Sequence, residues 1–162
     1  MTLYIMCGAP GSGKTYYAKN YMIKDSSWKY ISRDEIRFSM VKENEEYFSH
    51  ETEVFNEFVR RIKNAFDEDG IENVIADATH LNWPSRRKLL NALGDLSNIN
   101  VIPVVIKTNV ESNLIYNENR NGQSYVDAAI IMRMRKRATS PATDNYHYAN
   151  IIYYNNSINK KE

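Results

Sequence analysis

Little in this sequence is available for covalent or metal scaffolding. Its 162 residues contain one cysteine, Cys7, so no internal disulfide framework exists and a reducing, cytoplasmic setting is expected. Only three histidines occur, none at ligand spacing from another His or Cys, which leaves no zinc-type constellation. No apolar run approaches the ~18 residues a membrane span needs. The short apolar start, Thr2 to Cys7, has no basic residues ahead of it, so no signal peptide is expected. Formal charge is +1, and neither a repeat nor a Pro/Gly/Ser linker divides the chain, so one domain over residues 1–162 is expected. Glycine is scarce as well: six in all, and three of them fall between Gly8 and Gly13.

What is present alternates between strand-like and helix-like segments. Apolar strand patterns cover residues 2–7, 29–32, 73–76, 100–106 and 150–154. Helical patterns cover residues 14–23, 34–40, 51–66, 83–93, 110–118 and 126–137. The clearest is 51–66, where Val54, Phe55, Phe58, Val59, Ile62 and Phe66 share one face. Pro84 suits the first turn of its helix, whereas Pro103 inside a strand predicts a bulge or an edge position. Strands separated by helices predict an α/β fold, a parallel sheet with helices on both faces. Ligands of such sheets lie beyond the carboxyl ends of the strands. Residues 8–15, 32–37 and 77–82 are therefore expected to share one crevice.

Gly8-Ala9-Pro10-Gly11-Ser12-Gly13-Lys14-Thr15 matches G-x-x-x-x-G-K-[ST] between a strand and a helix. Glycines let successive N–H groups turn toward phosphate oxygens, and the helix N-terminus adds its positive end. Lys14 is expected on the β- and γ-phosphates and the Thr15 hydroxyl on Mg²⁺. The guanine-reading N-K-x-D element is absent, which counts against a switch GTPase. Phosphoryl transfer also needs a carboxylate for the acceptor and cations on the migrating group. Asp34, in Ser32-Arg33-Asp34-Glu35-Ile36-Arg37, is the best-placed carboxylate to accept a hydroxyl proton, and Arg37 follows one turn later. Ser32-x-x-Glu35 is at the same time a capping-box pattern. Asp77 ends a strand, where a carboxylate commonly holds Mg²⁺ through water or caps the next turn. Thr79 and His80 follow it, His80 reading as a pocket wall rather than a metal ligand. Arg86 and Arg87 begin the next helix, either as solvated charges or, from their place beside the Asp77 loop, in contact with substrate. Arg120 lies in a glycine-containing turn, about residues 119–126, where kinase-type P-loop folds carry a lid. Arg133, Arg135, Lys136 and Arg137 form a basic run, read as a solvated face or a track for a nucleic-acid backbone.

GAPGSGKT, ISRDEIR, VIADATHLNWPSRR and the NENRNG turn together resemble the kinase domain of bacteriophage and bacterial 5′-hydroxyl polynucleotide kinases, in order and spacing, over about residues 3–137. The Walker element is generic; S-R-D-x-x-R and the D-A-T element with its paired arginines discriminate further. The resemblance implies a kinase-type P-loop three-layer sandwich with a small helical lid. It implies ATP-dependent transfer to the 5′-hydroxyl of DNA or RNA, a nucleic acid repair chemistry in a phage or bacterial setting. Asp34 would be the general base, with Lys14 and Arg120 catalytic. ATP would lie on residues 8–15 and Arg120, and Mg²⁺ on Thr15 and, through water, Asp77. The acceptor would meet Asp34, Arg37, Asp77, Thr79 and Arg86. Kinases of nucleosides, nucleotides or other small hydroxyl metabolites carry similar elements, and an ATP-dependent binding module is a third reading. The near-neutral charge does not decide among them. Residues 43–72 hold ten acidic and three basic groups, and the remainder of the chain is strongly basic.

Overall fold

Alternation of period 2 within the strands sorts the core into two layers. In β1 (Thr2–Cys7), Leu3, Ile5 and Cys7 point to one face of the sheet, while Tyr4 and Met6 point to the other. The computed structural model describes residues 1–120 and 122–158. Asn121 of the expected lid turn and residues 159–162 of the expected domain lie outside them. Five strands form one sheet in the order β2-β3-β1-β4-β5, and every pairing is parallel. They are β1, β2 (Trp28–Ser32), β3 (Asn73–Asp77), β4 (Asn100–Lys107) and β5 (Ile152–Asn155).

On one face, α2 (Arg33–Met40), α3 (Glu51–Phe66) and α4 (Trp83–Leu93) pack Ile36, Phe58, Ile62 and Leu89 against Leu3, Ile5, Val74 and Ala76. On the other, α1 (Lys14–Tyr17) and the π-helical turn after it (Ala18–Met22) place Ala18 and Met22 on Met6, Ile75, Val104 and Ile106. The helix expected over residues 14–23 is thus one element that loosens from α to π spacing, closing with the Ile23 N–H on Ala18 O at 3.1 Å. The result is the expected three-layer parallel α/β sandwich. α5 (Val110–Glu118) and α6 (Ala128–Lys136) follow β4, joined through a short 3-10 turn at Gly122–Ser124.

Pro103 causes no bulge, since the β1–β4 register runs unbroken from Thr2 opposite Asn100 to Cys7 opposite Val105. It is tolerated because β5 pairs with β4 only from Val104 onward, leaving the outer side of β4 without a strand at Pro103.

Arg86 was expected to face substrate and does not. It is 0% exposed, and its guanidinium donates to Asp144 twice (2.6 and 2.7 Å), to His80 O at 2.8 Å and to Thr139 O at 3.0 Å. The Asp144 side chain is equally buried and also accepts from Tyr148 OH. This network fastens the loop after β3 to the segment before β5, a structural duty that keeps the guanidinium buried and away from the cleft. His80 belongs to the same staple. It is buried at φ +37°, with Nδ1 on Met6 O at 3.1 Å, which requires the proton on Nδ1. Burial pushes its pKa down to about 3, the Met6 carbonyl opposing that only in part.

Breaking the Arg86–Asp144 pair from one side, as in Arg86→Met, is expected to lower unfolding free energy by about 3–5 kcal/mol in urea titrations. The double variant Arg86→Met/Asp144→Leu should lose less than either single change. Because the folded-state pKa of His80 lies below the unfolded one, the unfolded chain binds the extra proton. Stability should therefore fall as pH drops from about 6.5 toward 3, with a slope of up to ~1.4 kcal/mol per pH unit, and His80→Asn should flatten that slope in chemical denaturation across this range.

Candidate active site

The carboxyl ends of β1, β2 and β3 open onto a cleft of about 920 Å³, as the topology predicts. At its base the loop between β1 and α1 turns through Gly11 (φ +75°) and Gly13 (φ +90°), angles that side chains rarely adopt. Gly8 is required for space, since a Cβ there would lie 2.5 Å from Ser12 Oγ and 3.2 Å from Ile106 O. Lys14 folds back over the loop, Nζ donating to Ala9 O at 3.0 Å. Burial lowers its pKa, while Asp77 and Asp34 pull it back up. Ser12 Oγ is buried without a partner, an orphan donor within the loop. A phosphate fits this cradle.

Thr15 Oγ1 donates to Asp77 Oδ2 at 2.7 Å, which leaves the hydroxyl lone pairs open, and Tyr30 OH donates to the same carboxylate oxygen at 2.6 Å. No cluster of three His, Cys, Asp or Glu that could hold a metal occurs among the described residues. A hydroxyl with one nearby carboxylate suits an ion that keeps its waters and takes phosphate oxygens, which is Mg²⁺ chemistry.

On the opposite wall, Ser32 caps α2 by accepting from the Glu35 N–H at 3.2 Å. Only that half of the capping box forms, because the Glu35 carboxylate pairs with Lys19 at 3.2 Å. Capping leaves Asp34 and Arg37 free for each other, and Arg37 Nη1 donates to Asp34 Oδ1 at 2.5 Å. Tyr47 OH donates to the same oxygen at 3.2 Å. The Asp34 side chain is 49% exposed, with Arg120 Nη2 at 3.9 Å from Oδ2. Arg120 thus reaches from the turn after α5 across the cleft to the carboxylate.

Arg37 was expected to contact an acceptor phosphate, yet it is 6% exposed and occupied by protein. Glu51, the first residue of α3, accepts from its Nε and Nη2 at 3.3 and 2.9 Å, and also pairs with Arg33. The Tyr47 and Phe48 rings lie 4.8 and 5.5 Å from the guanidinium. In this arrangement Arg37 sets the position of Asp34, and a phosphate would have to displace Glu51.

The cleft therefore gathers the glycine loop, Lys14, Thr15, Asp34, Arg37, Asp77, Thr79 and Arg120, and leaves out Arg86. Sequence reasoning missed Glu51, Tyr30 and Tyr47. Glu51 gives no local sign of pairing with arginines 14 and 18 residues earlier. It missed too that the buried face of α5 is polar: Ser112, Asn113 and Asn117 are all buried. Polar residues at i and i+4 on one helix face were the available signal. Arg135 of the basic run is likewise structural, donating to Thr108 O at 2.8 Å and Asn113 Oδ1 at 3.0 Å.

No curated protein matches the chain in sequence. Solved structures match its fold. A chain of the Pnkp1/Rnl/Hen1 RNA repair complex aligns with TM-score 0.69 and 18% identity over 84% of this chain, which spans 43% of that one. A fungal RNA kinase aligns with TM-score 0.64 and 11% identity over 99% of this chain and 76% of its own. A sugar kinase from Janibacter sp. HTCC2649 aligns with TM-score 0.63 and 12% identity, covering 96% and 85%. The family model described as an AAA domain matches residues 3–141. With that match, and with a nucleotide-type loop at the head of a parallel sheet, the chain belongs to the AAA domain family of P-loop proteins and has their kinase-type fold.

Proposed function

We propose that this protein transfers the γ-phosphoryl group of ATP to the 5′-hydroxyl at the end of a polynucleotide. The observation that carries the reading is Asp34, fixed by Arg37 and Tyr47, half open to the cleft, and facing Arg120 across from the glycine loop. Asp34 Oδ2 takes the acceptor's proton as the hydroxyl oxygen bonds to the γ-phosphorus. The bond from that phosphorus to the β–γ bridging oxygen breaks, ADP departs, and the proton stays on Asp34. Lys14 and the loop N–H groups hold the β- and γ-phosphates, and Arg120 leaves Asp34 to meet charge on the transferring group. Thr15 Oγ1 would hold Mg²⁺, with Asp77 ordering its water, and the ion would supply neutralisation of phosphate charge.

The fold likeness to an RNA kinase and to a chain of an RNA repair complex supports a nucleic-acid acceptor. A second reading keeps the chemistry and changes the acceptor to a small hydroxyl metabolite. It draws on Glu51 in the cleft and on the acidic run Glu43, Glu45 and Glu46 beside Tyr47 and Phe48, which repels a long polyanion.

A substrate panel separates the two. With labelled ATP, an oligonucleotide kinase should use a 5′-hydroxyl oligonucleotide and a dinucleoside phosphate at least tenfold better than a free nucleoside. Transfer to sugars or nucleosides alone would select the second reading. Asp34→Ala is expected to cut transfer by two to four orders of magnitude while ATP affinity, measured by calorimetry, stays within about threefold. Arg120→Ala should lower kcat by at least a hundredfold and raise the KM for ATP far less, checked in steady-state assays at saturating acceptor.

A further inference from the structure

A loop that turns its N–H groups toward an anion directs its carbonyl oxygens outward, and each buried carbonyl then needs a donor. Two asparagine side chains from distant elements supply donors here. Asn113 of α5, 0% exposed, donates Nδ2 to Pro10 O at 2.5 Å. Asn156, just past β5, donates Nδ2 to Ser12 O at 2.9 Å. Which way the Asn113 amide faces is fixed by Arg135 of α6. A guanidinium only donates, so it requires the amide oxygen, and it meets Oδ1 at 3.0 Å. That turns Nδ2 toward Pro10. Arg135 is itself anchored on Thr108 O at 2.8 Å. Asn156 is held by its own N–H on Lys107 O at 2.7 Å.

The glycines match these two asparagines. At Gly11, a Cβ would stand 3.0 Å from Asn113 O and 3.1 Å from the Asn117 backbone nitrogen, so the loop lies directly on α5. At Gly13 the space a Cβ would take is filled by the Asn156 amide. Asn117 completes the floor, its amide pairing with both the N–H and the carbonyl of Val126 at the far end of the lid turn.

We propose that Asn113 and Asn156 are positioning residues for nucleotide binding, their amides holding the Pro10 and Ser12 carbonyls outward so that the loop's N–H groups face the phosphates, with Arg135 setting the orientation of Asn113. The inference rests on the reading that this loop binds ATP, and it adds a physical link from α6 to the phosphate loop.

Asn156→Leu is the informative variant, since it keeps the side-chain size, adds no charge, and sits at a half-buried position. Calorimetry with MgATP on the full chain should find its affinity down by roughly tenfold, the scale of one lost hydrogen bond. kcat and the acceptor KM should remain within twofold, and the melting temperature without nucleotide within a few degrees. Asn113→Leu should act in the same direction, and so should Arg135→Met, which removes the donor that orients the Asn113 amide. If Asn156→Leu binds MgATP as tightly as wild type, the proposal is overturned. It is overturned equally if kcat falls and ATP affinity does not. Wild-type protein that binds MgATP but phosphorylates no oligonucleotide would refute the polynucleotide reading and leave this inference intact. A wild-type chain that binds no MgATP would end both.

Discussion

The polarity of eight residues of backbone organises this molecule. Between Gly8 and Thr15 the carbonyls of Ala9, Pro10 and Ser12 turn to donors supplied by Lys14, Asn113 and Asn156, and the surrounding elements are shaped by that demand. It explains why α5 buries Asn113 where a helix on a sheet would bury a leucine, while Asn117 and Ser112 beside it serve the backbone at Val126 and Ile158. It also explains why Lys14 lies against Ala9 O and why an asparagine follows the last strand. The apolar core on the two faces of the sheet could be built from many sequences of this pattern. The phosphate loop tolerates far fewer, because each neighbour satisfies one particular group.

The opposite wall obeys a different logic, that of charge held in place. The proposed proton transfer to Asp34 needs one orientation of its carboxylate, and Arg37 imposes one from a turn along the same helix. Arg37 is held in turn by Glu51, the first residue of α3, and a carboxylate at that position gains from the helix dipole. The acidic stretch 43–72, which read as a local surplus of charge, thus contributes one residue that orders two arginines of the cleft and spends most of the rest on solvent.

Much of this was legible from sequence, and the division follows the range of the interactions. Period-2 and period-3.6 patterns are local, so α3, α4 and α5 emerge at their expected ends and each strand within two residues. The glycine loop, Asp34, Asp77 and Arg120 were legible because each follows directly from a strand or lies in a helix–helix turn. Arg86 misled because adjacency to the Asp77 loop was the only clue, and its partner Asp144 lies 58 residues away. Glu51, Tyr30 and Asn156 were invisible for the same reason. Their roles are set by which strands and helices become neighbours, and periodicity does not encode that order. The π-helical turn after α1 belongs here too, since its spacing is decided by packing Ala18 and Met22 on the sheet rather than by propensity.

The strand order also bears on how the chain folds. β1 stands at the centre of the sheet, yet both its neighbours, β3 and β4, come much later in sequence. Loops of this length must close before any strand pair forms around it, which slows folding relative to a hairpin-built sheet. The contact between Ser12 and Asn156 spans 144 residues. The phosphate loop is written early in the chain, yet one of its contacts comes from the segment just past the last strand. In the proposed reading, full-strength nucleotide binding would therefore report on a chain whose last strand has docked.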